Sequence, residues 1–260
     1  MWWVWLVVIL MFIALSYTRS YYSTKKRVAF CLVGGVSKYN QQVDIYTNGE
    51  YINYRGCYNS IKRHIFDANN EKYQFDTYIH CWNPDIQEDL VDLYNPKKYL
   101  FEDNTKYKDQ HQGNPQVSKA ISIKRVSELV EGDYDVYIIY RPDLILIKDM
   151  NLDDYEDGVV YSNGYDGGDF HFVMNKTDFY MFADLFEFPP DGDKYAHTVF
   201  KNHVNQYMNK TIQTDSIRAG PHQEVVRKVF RETDNANLIK VLPEYGFTTY
   251  DLEKMKNTRK

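Results

Sequence analysis

The chain has 260 residues, 43% of them hydrophobic and 16% aromatic, which suffices to bury one substantial core and excludes a disordered chain. A formal net charge of -5 supplies no basic field for a nucleic-acid backbone, so no nucleic-acid partner is expected. Cys31, Cys57 and Cys81 are odd in number and lack metal-ligand spacing, and they read as small core residues.

The N-terminus differs in kind from the rest. Met1 to Tyr17 carry no charged side chain and as a helix would reach about 25 Å, slightly short of a hydrocarbon core of about 30 Å. Trp2, Trp3 and Trp5 at one end and Tyr17, Tyr21 and Tyr22 at the other resemble interfacial aromatic belts. Neither a basic leader nor a small-residue cleavage site is evident, so residues 1–20 read as an uncleaved single-pass anchor, with residues 2–17 in the lipid bilayer. Its orientation stays open. Arg19, Lys25, Lys26 and Arg27 after the span favour a cytoplasmic domain, whereas the sequons Asn175-Lys-Thr177 and Asn209-Lys-Thr211 matter only in a lumen.

Beyond this stem, RVAFCLVGG reads as a buried strand running into Gly34-Gly35, where a backbone approaches a ligand closely. It lacks the patterns of a dinucleotide fold or a P-loop, so neither NAD binding nor ATP hydrolysis is supported. Cys57, Tyr58, Ile61, Ile65 and Ala68 recur at helical spacing between Arg55 and Asn69. FDTYIHCW is a second strand, with His80 and Trp82 as core-edge or binding side chains, and NPKKYLFED a third, ending in Glu102-Asp103. A polar loop leads to a helix over residues 117–130. YDVYIIYRPDLILIKD follows, where Val136 to Tyr140 fit a strand covered on both faces, Pro142 ends the ladder and an apolar run resumes at Leu144. DGVVYSN is a further strand, GYDGGDFHFV a Gly-rich turn, Thr177 to Phe186 a helix, QEVVRKVF a helical stretch, and DLEKMKNTRK a polar end. Strands alternating with helices of this length predict βαβ units in one α/β domain over residues 27–250.

A transferase acting on a nucleotide sugar needs positive charge on the donor diphosphate and often a carboxylate for the acceptor hydroxyl. The literal Asp-x-Asp copies are badly placed. Asp133 and Asp135 precede their strand, and Asp191 and Asp193 sit in a Pro/Gly loop. Arg141-Pro-Asp143 lies where ligands bind in open α/β sheets, at a strand's carboxyl end. Asp143 there serves a metal or donor ribose and Arg141 a phosphate, or the two form a structural ion pair.

The segments FDTYIHCWNPD, LYNPKKYLFED, VSKAISIKRVSELV, YDVYIIYRPDLIL and GGDFHFVMNKTDFYMFADLF, taken in this order, resemble a family of small polysaccharide glycosyltransferases found in bacterial capsule clusters, algae and large DNA viruses. The similarity runs from about Arg27 to Phe230. It implies a GT-A-like (Rossmann-like) fold, a mostly parallel sheet flanked by helices, that transfers a sugar from a nucleotide-sugar donor to a glycan or glycoprotein acceptor. Carried over by motif, the family's RxD falls on Arg141 and Asp143 and its DxF on Asp169 with Phe170 or Phe172. Its acidic position falls on Glu102, and a later PE pair finds its nearest match at Glu224, displaced by two residues from Pro221. On this reading Gly34, Gly35, Arg141 and Asp143 bind the donor, and Asp143 ligates a divalent cation, Mn or Mg. His171, His197, His203 or His222 is the second metal ligand or a structural hydrogen-bonder. Asp169 and Glu224 are the catalytic carboxylates. The alternatives are a non-catalytic membrane-tethered carbohydrate-binding or assembly protein and a nucleotide-sugar hydrolase.

Overall fold

The computed structural model describes residues 5, 25–36, 38, 50–107, 115–162, 171–186, 196–214 and 240–257. Among these no helix is long and apolar enough to cross a membrane, and apart from Trp5 the predicted anchor lies outside them.

In chain order the main elements are β1 (Lys26–Gly34), α1 (Tyr54–Ile61), β2 (Tyr73–Cys81), α2 (Gln87–Tyr94), β3 (Lys98–Phe101), α3 (Pro115–Leu129), β4 (Val136–Tyr140), β5 (Val160–Ser162), β6 (His171–Met174), α4 (Lys176–Ala183), α5 (Ala196–Asn202), β7 (Ile212–Thr214) and α6 (Thr249–Asn257). The seven strands form one sheet in the order β3-β2-β1-β4-β6-β5-β7. All pairings are parallel except those of β6 with β4 and β5.

The unbroken apolar runs of β1 and β4 follow from cover on both faces. Val28, Phe30 and Leu32 join Ile138 and Tyr140 in one core with Cys57, Ile61 and Ile65 from α1 and the π-helical turn that extends it. Ala29, Cys31 and Val33 join Tyr137 and Ile139 in the other with Ala120, Ile123 and Val126 from α3. The cysteines are free and buried, as expected of core residues.

The apolar run after Pro142 forms no strand. Leu144, Ile145 and Leu146 are a buried loop whose backbone groups still need partners, and the Ser60 hydroxyl provides them by accepting from Leu146 N–H (2.6 Å) and donating to Leu146 C=O (2.6 Å). The predicted Gly-rich turn extends too far: His171–Met174 is a strand, antiparallel to β4 and fully buried. Its pairing with Tyr137–Tyr140 outweighs the turn composition before it. The polar C-terminal segment contains α6, started by a reciprocal cap in which Thr248 N–H donates to Asp251 Oδ2 (2.6 Å) and Asp251 N–H to Thr248 Oγ1 (3.2 Å). QEVVRKVF lies outside the described residues.

Gly56 shows how tightly this layer packs, since a Cβ there would stand 2.7 Å from Phe247 Cδ2. Gly56→Ala, which by helix propensity alone should stabilise by about 1 kcal/mol, is expected to destabilise by about 1–3 kcal/mol in urea unfolding, because the Phe247 ring must move.

Candidate functional site

Strands β1, β2, β3 and β4 deliver their carboxyl ends, Gly34, Cys81, Phe101 and Tyr140, to one edge of the sheet, and β6 starts there with His171 opposite Tyr140. The chain proceeds from β1 to β2 and β3 on one side but returns to β4 on the other, so the strand order reverses between β1 and β4. Such a reversal opens a crevice at the carboxyl edge. Gly34 ends one of its two strands, and Arg141 directly follows the other.

The glycine loop is tied down from both sides. Gly34 has φ +92°, where a side chain would be strained, and a Cβ there would meet nothing within 4 Å. Its N–H donates to Ser122 Oγ of α3 (2.6 Å) and its C=O accepts from Trp82 N–H (3.2 Å). A Cβ on Gly35 would stand 2.8 Å from Asn83 Oδ1, the atom that accepts Val36 N–H at 2.6 Å. Both glycines therefore have a backbone or packing reason, and among the described residues nothing stands within 4 Å of a Cβ at Gly34.

After the carboxyl end of β4, Arg141 Nε and Nη2 donate to Asp143 Oδ1 (2.8 Å) and Oδ2 (2.6 Å). The Asp143 side chain is 1% exposed and that of Arg141 15%. Burial, and next the Asp143 carboxylate, holds the Cys57 thiol well above its ordinary range. Both oxygens of Asp143 serve Arg141, so a cation there would have to displace a buried guanidinium, and the described residues there do not fit a divalent ion. Among the described residues no group of three or more His, Cys, Asp or Glu could hold a metal. His203 Nε2–H donates to Met181 C=O (3.0 Å), and the His171 ring lies parallel to Tyr140 at 5.9 Å. His197 lies in α5, its side chain not described, and His222 lies outside the described residues, as do Asp169, Glu224 and Asp191-Gly-Asp193.

The other Asp-x-Asp is at the opposite edge, where Asp135 Oδ2 accepts Arg27 N–H (2.7 Å) and Asp133 pairs with Lys176. Its position before β4 excludes it from the crevice.

Three residues from different segments converge behind the glycine loop. His80 Nδ1 lies 2.7 Å from Ser122 Oγ, and His80 Nε2 lies 3.0 Å from Glu102 Oε2. Arg125 Nε stands 3.4 Å from the same Glu102 oxygen. The acidic residue of the second segment thus reaches the site, whereas Ser122 was hidden inside a helix pattern; its one legible sign was a hydroxyl among Ala120, Ile121, Ile123 and Val126.

Burial lowers the His80 pKa to about 4, overriding the opposite pull of Glu102. An ordinary histidine titrates near 6.5, so the unfolded chain binds the extra proton first. His80 therefore contributes stability that is complete above about pH 6.5 and is lost as pH falls towards 4, on the order of 3 kcal/mol. Urea midpoints at pH 7 and pH 4.5 should show this slope in the wild type and a flatter one in His80→Gln.

No family model matches this chain, and no curated protein does.

Proposed function

We propose that this chain is a GT-A-like glycosyltransferase that moves a sugar from a nucleotide-sugar donor to a glycan or glycoprotein acceptor. The observation that carries the reading is the switch point between β1 and β4, flanked by an open glycine loop on one strand and an arginine next to the other. The donor diphosphate lies along Gly34 and Gly35 with the Arg141 guanidinium beside it, and Asp143 fixes that guanidinium in plane. Asp169, two residues before β6 in the chain, takes the proton of the acceptor hydroxyl. The hydroxyl oxygen bonds to the anomeric carbon as the nucleoside diphosphate leaves with its bonding electron pair. Glu224 is the second carboxylate assigned by resemblance. β1 runs roughly 26 Å from Lys26 to Gly34, so the proposed donor edge lies at the far end of this strand from Lys26.

A binding protein on the same fold is the second reading, favoured by the full engagement of Asp143 with Arg141. A thermal-shift screen of the full-length chain against UDP-, GDP- and CMP-sugars, with and without manganese, separates the cases. One nucleotide class at a hundred times its dissociation constant should stabilise by about 2.7 kcal/mol. Stabilisation by none of them defeats the transferase reading, and product formed without an acceptor identifies a hydrolase.

A further inference from the structure

Glu102, His80 and Ser122 have the composition of a hydrolytic triad, yet Ser122 cannot serve as its nucleophile. It is fully buried in the middle of α3, and its Oγ already accepts the Gly34 N–H. The donors and acceptors instead run in one direction. An ionised carboxylate only accepts, so His80 keeps its proton on Nε2 and donates a hydrogen bond from it to Glu102 at 3.0 Å. Nδ1 is left as an acceptor, and the Ser122 hydroxyl donates to it at 2.7 Å. The same oxygen then faces Gly34 N–H with a free lone pair at 2.6 Å. Every member is satisfied, and the order of donors is fixed by the carboxylate at the far end.

We infer that Glu102 and His80 are positioning residues for the glycine loop, acting through Ser122, so that a carboxylate at the rim sets the backbone of Gly34 without touching it. The rim end is accessible: the Glu102 side chain is 19% exposed and shares its oxygen with Arg125. The other end is Gly34, whose Cβ position no described residue approaches within 4 Å. His80, Glu102 and Ser122 come from three of the five segments of the family resemblance, and the relay gives them a common purpose. Its consequence for ligand binding rests on the glycosyltransferase reading; its consequence for the loop does not.

The test uses the full-length chain in detergent. Hydrogen exchange of the Gly34 amide is expected to quicken at least tenfold in Ser122→Ala, and likewise in Glu102→Ala. It should stay unchanged in Asp103→Ala, the neighbouring exposed position. Glu102→Gln, whose amide oxygen still accepts from Nε2, should keep the protection. With UDP and GDP as calorimetric probes, Ser122→Ala and Glu102→Ala should each weaken the nucleotide that binds by about tenfold, equivalent to about 1.4 kcal/mol, and the double variant by no more than either. Unchanged Gly34 exchange in Glu102→Ala, equal loosening in Glu102→Gln, or losses that add in the double variant would each overturn the relay. A wild type that binds neither nucleotide counts against the glycosyltransferase reading, and the exchange measurements then decide the relay alone.

Discussion

Asp143→Asn is expected to cost the fold about 3–5 kcal/mol, because it leaves the Arg141 charge in a nearly closed site without its counter-ion. The two shapes are almost the same, so no cavity forms. The chemistry differs sharply. Asp143 now accepts from both Nε and Nη2 of Arg141, and its side chain is 1% exposed. The asparagine oxygen can keep one of these bonds, but its amino group then faces an N–H, setting donor against donor. With the residue 143 side chain 1% exposed, bulk solvent does not repair the loss. Urea unfolding should show the midpoint fall with an unchanged slope, and nucleotide binding should weaken with it because Arg141 is no longer held in plane. If binding vanishes while the midpoint stays at the wild-type value, Asp143 acts on the ligand itself, and its pairing with Arg141 is incidental.

This pair also marks the limit of what was legible beforehand. Val136 to Tyr140 announced a strand with both faces covered, and Arg141 and Asp143 were visible as charges at its end, because local pattern determines both. Whether the carboxylate serves a ligand or its neighbour depends on what encloses it, and the buried thiols that feel its charge, Cys57 and Cys81, come from α1 and β2. The relay is harder still to see. His80 and Glu102 are 22 residues apart, His80 and Ser122 are 42, and Gly34 and Ser122 are 88, so no window of the chain contains the set. β6 failed for a different reason: four residues following a Gly- and Asp-rich stretch hold too little pattern to compete with turn chemistry, and only pairing with β4 makes them a strand. In α2 and α6, short helices are fixed at their ends, by Asn95 in a left-handed cap and by the Thr248–Asp251 exchange, while their apolar faces are too narrow to read.

The largest effect on turnover is expected at Asp169, which lies outside the described residues but is bracketed in the chain by two elements that are described. β5 ends with Ser162 and β6 opens with His171, both at the carboxyl edge, and His171 stands opposite Tyr140, the residue before Arg141. A residue of this connection is therefore covalently bound to the rim of the crevice in which the donor is proposed to lie. If Asp169 removes the acceptor proton, replacing it with Asn leaves the donor contacts in place and deletes the base. Turnover should then fall by about 10² to 10⁴, with donor affinity little changed. The measurement is an initial rate at saturating donor, using the nucleotide sugar that the thermal screen selects, paired with a titration of that donor into the variant. Loss of donor binding together with turnover would assign Asp169 to the donor site beside Arg141. Near-normal turnover would make it a turn residue, for which Asp beside glycines is common, and would remove the only candidate for the base.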